Sequence, residues 1–106
     1  MPDLSALMGS LAGFEWAAGN SQKNWASHRV TQAESEEVFF NRPVFLLEDA
    51  KHSTRERRYN VLGRSNGDRL LSVIFTVRSD LVRVISARPM SPKERTAYAN
   101  VPPEAP

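Results

Sequence analysis

Four arginines and one glutamate near the end of the chain carry the chemistry this sequence offers: Arg78, Arg83, Arg88 and Arg95, with Glu94 beside the last. A guanidinium is a planar fork that grips a phosphate or carboxylate through two hydrogen bonds and keeps its charge at neutral pH. Such groups suit metal-free phosphodiester cleavage. A base takes the proton of a ribose 2′-hydroxyl, cations hold the extra charge on phosphorus, and an acid protonates the leaving oxygen. Arginine fills the second role but is a poor base, since its pKa lies above ~12. The other roles need histidine or a carboxyl group, and the chain offers His28, His52 and a handful of glutamates.

Each candidate also has a purely structural reading. Glu94 stands three residues after Ser91, where it either completes a capping box or handles a proton. His28, at the end of an expected helix, either serves the helix dipole or acts as a base. Arg95 is either a solvated helix residue or a neighbour of Arg88. His52 lies in the charged stretch Lys51–Arg58, whose default is an exposed turn. No spacing of His, Asp and Glu resembles a metal-ligand set, and no cofactor is expected.

The composition narrows the setting. With 106 residues there is room for one modest core. Cysteine is absent, so neither a disulfide scaffold nor a thiolate metal site is available. The longest apolar runs are far too short to span a bilayer, and Met1-Pro2-Asp3-Leu4 lacks the basic and apolar regions of a signal peptide, which predicts a cytoplasmic protein. Of 14 basic residues, 11 are arginine and three are lysine. A GC-rich genome would also enrich arginine. The acids, however, gather at Glu34, Glu36 and Glu37, while arginines populate the last third, and that segregation favours a polyanionic partner such as RNA.

The elements that must position these residues follow from periodicity. Residues 1–13 read as an N-terminal arm, 14–100 as a single domain and 101–106 as a disordered tail. Phe14-Glu15-Trp16 alternates as a short edge strand. A helix is expected over Ala17–His28 with Trp25 on its buried face, and a second from the Thr31-Gln32-Ala33-Glu34 capping box to about Phe40, with Ala33, Val38 and Phe39 facing the core. The period then changes to that of strands: Val44–Glu48, Arg58–Gly63, Arg69–Arg78 and Leu81–Arg88. Asn66-Gly67 and Ser79-Asp80 mark turns between them. Ser91-Pro92-Lys93-Glu94 opens a last helix running to about Asn100. The expected fold is α+β: a small, mostly antiparallel four-stranded sheet with two N-terminal helices and one C-terminal helix.

The last hairpin decides where the arginines point. A two-residue loop at Ser79-Asp80 pairs Arg78 with Leu81, Thr76 with Arg83, Ile74 with Ile85 and Ser72 with Ala87. Those residues share one face; Leu71, Val73, Phe75 and Val77 share the other with Val82 and Val84, as core. Arg78 and Arg83 then project together beside Ser72 and Thr76, and Arg88 leads into the helix bearing Glu94 and Arg95.

Several strings in this chain resemble the BrnT family of toxins. Phe14-Glu15-Trp16, Asn24 with His28 and Val30, and Glu37-Val38-Phe39-Phe40 are similar to that family's opening. His52-Ser53, Glu56, Arg58-Tyr59 and Leu62-Gly63 follow its middle stretch. Arg83-Val84-Ile85-Ser86-Ala87-Arg88, and Glu94-Arg95 with Tyr98, are similar to its hallmark motifs. The resemblance covers about residues 14–98. It implies a RelE-like fold, an endoribonuclease toxin of a type II toxin–antitoxin pair, and neutralisation by a BrnA-like antitoxin in a 2:2 complex that binds promoter DNA through the antitoxin. Carried over by motif, Arg78, Arg83, Arg88, Glu94 and Arg95 are the residues tied to toxicity. Two local departures stand out. Ser27-His28-Arg29 replaces a usual Lys-His-Gly, so the helix stop lacks its glycine, and Trp16-Ala17-Ala18-Gly19-Asn20 lacks the usual aspartate.

Overall fold

In a computed structural model, which describes residues 13–16, 20–48 and 56–103, the alternating segments form one sheet. The elements are β1 (Gly13–Glu15), α1 (Asn20–His28), α2 (Gln32–Glu37), β2 (Phe45–Glu48), β3 (Arg58–Arg64), β4 (Leu70–Arg78), β5 (Leu81–Pro89) and α3 (Pro92–Ala99). The α+β class and the three helices are as expected. Among the described residues the sheet has five strands instead of four, in the order β1-β5-β4-β3-β2. β2 to β5 form an antiparallel meander, whereas β1 pairs in parallel with β5, Phe14 opposite Val82 and Glu15 opposite Arg83. A parallel partner so distant in sequence leaves no turn signal to read.

Local chemistry explains the helices. Thr31 and Ser91 both build complete capping boxes, with Glu34 and Glu94 returning the hydrogen bond to the cap backbone. α2 stops at Glu37, short of the expected Phe40. Phe39 and Phe40 donate instead to the Glu36 and Glu37 carbonyls, a tighter turn that sends Phe39 into the core and leaves Phe40 exposed. Ala33 faces solvent, and the buried position on α2 belongs to Ser35, whose hydroxyl donates to the Thr31 carbonyl.

α1 is also rotated relative to expectation. Trp25 is 47% exposed, with the Arg29 guanidinium 5.1 Å from its ring centroid, and Asn24 is the buried residue. Ala87 lies beyond the stretch of β5 that β1 covers, and Asn24 Oδ1 accepts its N–H at 3.1 Å. A backbone donor left without a strand partner thus selects an amide over an indole for the inward position. Arg29, where the resemblance leads one to expect a glycine, adopts φ 53°, the left-handed conformation a helix-ending glycine usually supplies. Arg69 holds this strained stop by donating to the His28 and Arg29 carbonyls.

The core lies on one face of the sheet, where Phe39 packs edge-on between Phe14 and Phe75, and Val30 and Val38 close over Val61, Val73 and Val84. On the other face α3 covers only one end, where its Tyr98 packs with Leu62 and with Met90 from the junction after β5. The Tyr98 hydroxyl donates to the Pro43 carbonyl at 2.6 Å, and burial holds its pKa above the usual phenol value. Among the described residues no helix is long and apolar enough to cross a membrane.

The register of β4 and β5 begins as expected, with Arg78 opposite Leu81 and Thr76 opposite Arg83. It then shifts. Phe75 pairs with Val84 but Ile74 pairs with Ser86, so Ile85 is an extra, bulged residue, and Ser72 meets Arg88 instead of Ala87. Ala87 turns into the core and Arg88 turns out.

Gly63 lies close against Val38, the residue that caps the end of α2. A Cβ there would stand 2.7 Å from Val38 Cγ1 and 3.1 Å from the Val38 carbonyl oxygen. Gly63→Ala is therefore expected to destabilise the protein by about 1–3 kcal/mol, seen as a lower midpoint in urea denaturation. An unchanged midpoint would show that the end of α2 yields freely.

Candidate functional site

The open face of the sheet gathers the sequence-predicted arginines in two groups. At the hairpin end, Arg58, Thr76, Arg83 and Glu15 form one cross-strand row, with Arg78 one pleat further along β4. Thr76 is buried beneath this row and donates its hydroxyl to the Arg57 carbonyl at 2.7 Å. Arg83 pairs with Glu15 at 3.0 Å, and Arg78 donates Nε and Nη2 to the two Glu56 oxygens at 3.1 and 3.3 Å. These side chains are a quarter to a half exposed.

At the other end, Arg88 grips Glu94 with both forks, Nη1 to Oε1 at 2.7 Å and Nη2 to Oε2 at 3.0 Å. Glu94 Oε1 also accepts the Ser91 N–H at 2.9 Å. The buried Ser72 hydroxyl lies 2.9 Å from Asn60 Oδ1 and 3.3 Å from Glu94 Oε2; having one proton, it donates to one of them at a time. Burial alone would push the Glu94 carboxyl up. The Arg88 hydrogen bonds, the Ser91 N–H, the Arg88 charge and Ser72 together outweigh it and hold the group at about 2. The same pair raises the Arg88 pKa. Glu94 is thus both helix cap and carboxylate anchor, so the two sequence readings meet in one side chain. A carboxylate held this low is a weak base while Arg88 is attached.

Arg95 and His28 stand apart from these groups. Arg95 donates Nε to the Met90 carbonyl at 3.3 Å, bracing the junction of β5 and α3, and its side chain is otherwise exposed. His28 is exposed at the end of α1; its carbonyl accepts from Arg69, and its ring has no hydrogen-bond partner among the described residues. His52 lies outside the described residues.

The face also contains residues that sequence reasoning did not place. Arg58 and Asn60 join it through the register of β3 against β4, Glu15 through the parallel pairing of β1, and Glu56 through its reach from the residues before β3. A fixed turn length between β3 and β4 would have located Arg58; nothing local in the sequence signals Glu15.

Comparison with known proteins identifies the family of the chain. Residues 16–94 match the family model described as the ribonuclease toxin, BrnT, of type II toxin-antitoxin systems. The chain belongs to the BrnT family. The 1.1 Å crystal structure of the Brucella abortus ribonuclease toxin BrnT is similar, with 30% sequence identity, a TM-score of 0.55, and coverage of 74% of this chain and 96% of that one. No curated protein matches the chain. The BrnT match runs through Arg58, Arg78, Arg83 and Arg88 and ends at Glu94, so both arginine groups lie within it while Arg95 lies one residue beyond.

The pairing of Glu94 makes a pH prediction. Its carboxyl ionises at about 2 in the folded protein against 4.5 for the unperturbed group. The depressed value means stabilisation that is fully present above about pH 4.5 and is lost as pH falls through about 2. Glu94→Gln should cost on the order of 2 kcal/mol near neutral pH, after allowance for solvent screening. The gap between the two proteins in urea denaturation should close as the pH approaches 2; a gap independent of pH would show that the cap alone, and not the charge, is at work.

Proposed function

We propose that this BrnT-family protein is a metal-independent endoribonuclease whose open sheet face binds and cleaves RNA, slowing translation and growth. The observation that carries the reading is the β5 bulge, which sets Arg88 on the same face as Arg78 and Arg83 within the family's matched span. Arg78, Arg83 and Arg95 bind the backbone phosphates on either side, and Arg88 stabilises the charge that builds on the scissile phosphate. The 2′-oxygen attacks phosphorus, the bond to the 5′-oxygen breaks, and the products are a 2′,3′-cyclic phosphate and a 5′-hydroxyl.

Partner exchange gives Glu94 a base role in this scheme. As phosphate draws Arg88 away, the carboxylate loses its strongest hydrogen bonds while its burial, which favours the protonated form, remains. It then takes the 2′-hydroxyl proton, and a proton from water completes the leaving 5′-hydroxyl. His28, exposed on α1, is the competing base. An antitoxin of the BrnA kind, with its own DNA-binding domain, covers the arginine face in a 2:2 complex and brings the pair to promoter DNA.

One observation favours a second reading, that of an inactive RNA-binding module. Three arginines of the face already hold carboxylates, and Glu94, the acid nearest Arg88, is locked in a cap.

Incubation of the purified protein with total RNA in EDTA separates the two. Cleavage is expected to survive EDTA, to fall by about a hundredfold or more in Arg88→Ala, and to fall in Glu94→Gln more than in His28→Ala. Loss of activity in EDTA would remove the metal-free mechanism. RNA that is bound but left intact would establish the binding-module reading.

A further inference from the structure

We infer that Arg58, Arg78 and Arg83 form a seat for an RNA phosphate, and that Glu56 fills this seat in the unbound protein as an internal stand-in for the phosphate. The inference rests on the RNA reading above and adds to it a ligand, Arg58, and a competitor, Glu56. It concerns the hairpin end of the face, separate from the Arg88–Glu94 pair.

The geometry is that of a cradle. Arg58 and Arg83 stand on either side of Thr76 in one cross-strand row, and Arg78 follows on the same face of β4. Thr76 contributes only a small, buried floor, its hydroxyl already committed to the Arg57 carbonyl. Like charges on adjacent strands repel, so a cradle of this kind adds nothing to the fold unless anions balance it. Glu15 holds Arg83 from the β1 side, and Glu56 is the anion on Arg78. Its two oxygens take two parallel hydrogen bonds from Arg78, the geometry in which guanidinium also binds phosphate. The hydrogen bond from Arg78 holds the Glu56 carboxyl below the usual carboxylate range against the opposing effect of desolvation, and the charges of Arg78, Arg58 and Arg83 add to it. The carboxylate therefore lies within reach of all three fields.

The two ends of the face differ in how firmly the carboxylate is held. Glu94 is fixed by a helix cap, a bidentate arginine and a buried hydroxyl. Glu56 precedes β3, belongs to no element and, among the described residues, is held by hydrogen bonds from Arg78. It can leave without disturbing the sheet, and an exposed pair of this kind holds its partner weakly. Phosphate binding at this seat is then an exchange of one bidentate anion for another.

Fluorescence anisotropy with a non-cleavable 2′-O-methyl oligoribonucleotide tests this, comparing wild type with Glu56→Gln, Arg58→Ala and Glu48→Gln over a range of salt. Glu48 pairs with Arg57 at the β2 edge, opposite Tyr59 on the core side, and controls for net charge. Glu56→Gln is expected to bind about three- to fivefold more tightly, the weight of one exposed pair, and Glu48→Gln about as wild type. Arg58→Ala should bind more weakly, with a salt slope smaller by ~0.7, one phosphate contact on a single strand. If Glu56→Gln gains no more than Glu48→Gln while wild type binds, the seat is refuted and the RNA reading stands. If wild type does not bind the probe, the RNA reading falls and the seat with it. Should Glu56→Gln fail to fold, an Arg58→Ala protein with wild-type affinity and slope refutes the seat by itself.

Discussion

One inserted residue sets the chemistry of this molecule. β5 must place Val82 and Val84 in the core and, four residues later, present Arg88 to solvent. Strict alternation forbids both, because residues 82, 84, 86 and 88 share a face in an unbroken strand. The bulge at Ile85 resolves the conflict by changing the parity of everything after it. Ala87, small enough to fit beneath α1, enters the core, and its N–H is met by Asn24. Arg88 emerges opposite Ser72 and meets α3. Without the bulge Arg88 would be driven onto the core face opposite Leu71, where an unpaired charge costs several kcal/mol, and Glu94 would cap its helix with no cation to hold.

The pairs on the open face differ in what they do for the fold. An exposed ion pair contributes roughly 0–1 kcal/mol, because water screens it and two long side chains lose freedom. Arg78–Glu56 and Arg83–Glu15 belong to that class, so their worth as stability is small and their effect on the surface is large: they neutralise guanidiniums that would otherwise repel. Arg88–Glu94 is shorter and more enclosed, with the Glu94 side chain only 18% exposed. Its lowered pKa reflects hydrogen bonds from Arg88, Ser91 and Ser72 that favour the charged form.

Signals that act within a few residues were legible in the sequence. Ser91-Pro92-Lys93-Glu94 specifies its helix start through contacts among neighbours, as does Thr31–Glu34, and the Ser79-Asp80 loop sets Arg78 and Arg83 on a common face. Ser79 adopts φ 55° there, as a tight hairpin needs. Signals that require a distant partner were not legible. Arg83-Val84-Ile85-Ser86 alternates without a Gly or Pro to mark the bulge, so sequence pairing placed Ala87 where Arg88 stands. The pairing of Glu15 with Arg83 spans 68 positions and joins parallel strands, which share no turn. Trp25 misled for a different reason: hydrophobicity ranks an indole inward, but the unpartnered N–H of Ala87 rewards the amide of Asn24, one residue and about 100° away on the helix.

Glu94 ties the fold to the site through a single carboxylate. Its Oε1 closes the capping box of α3 and also holds Arg88 Nη1, so the same oxygen that starts the helix orients the guanidinium. α3 in turn packs its Tyr98 with Leu62 and Met90, and Tyr98 reaches across to Pro43, fastening the lead into β2. A phosphate that recruits Arg88 removes the cation but not the Ser91 N–H or the α3 N-terminal dipole, both of which still favour an anion. The helix therefore keeps its start while the arginine changes partner. That division of bonds, some internal to the cap and some directed at the sheet, is what allows one carboxylate to serve stability at rest and remain available when the face is occupied.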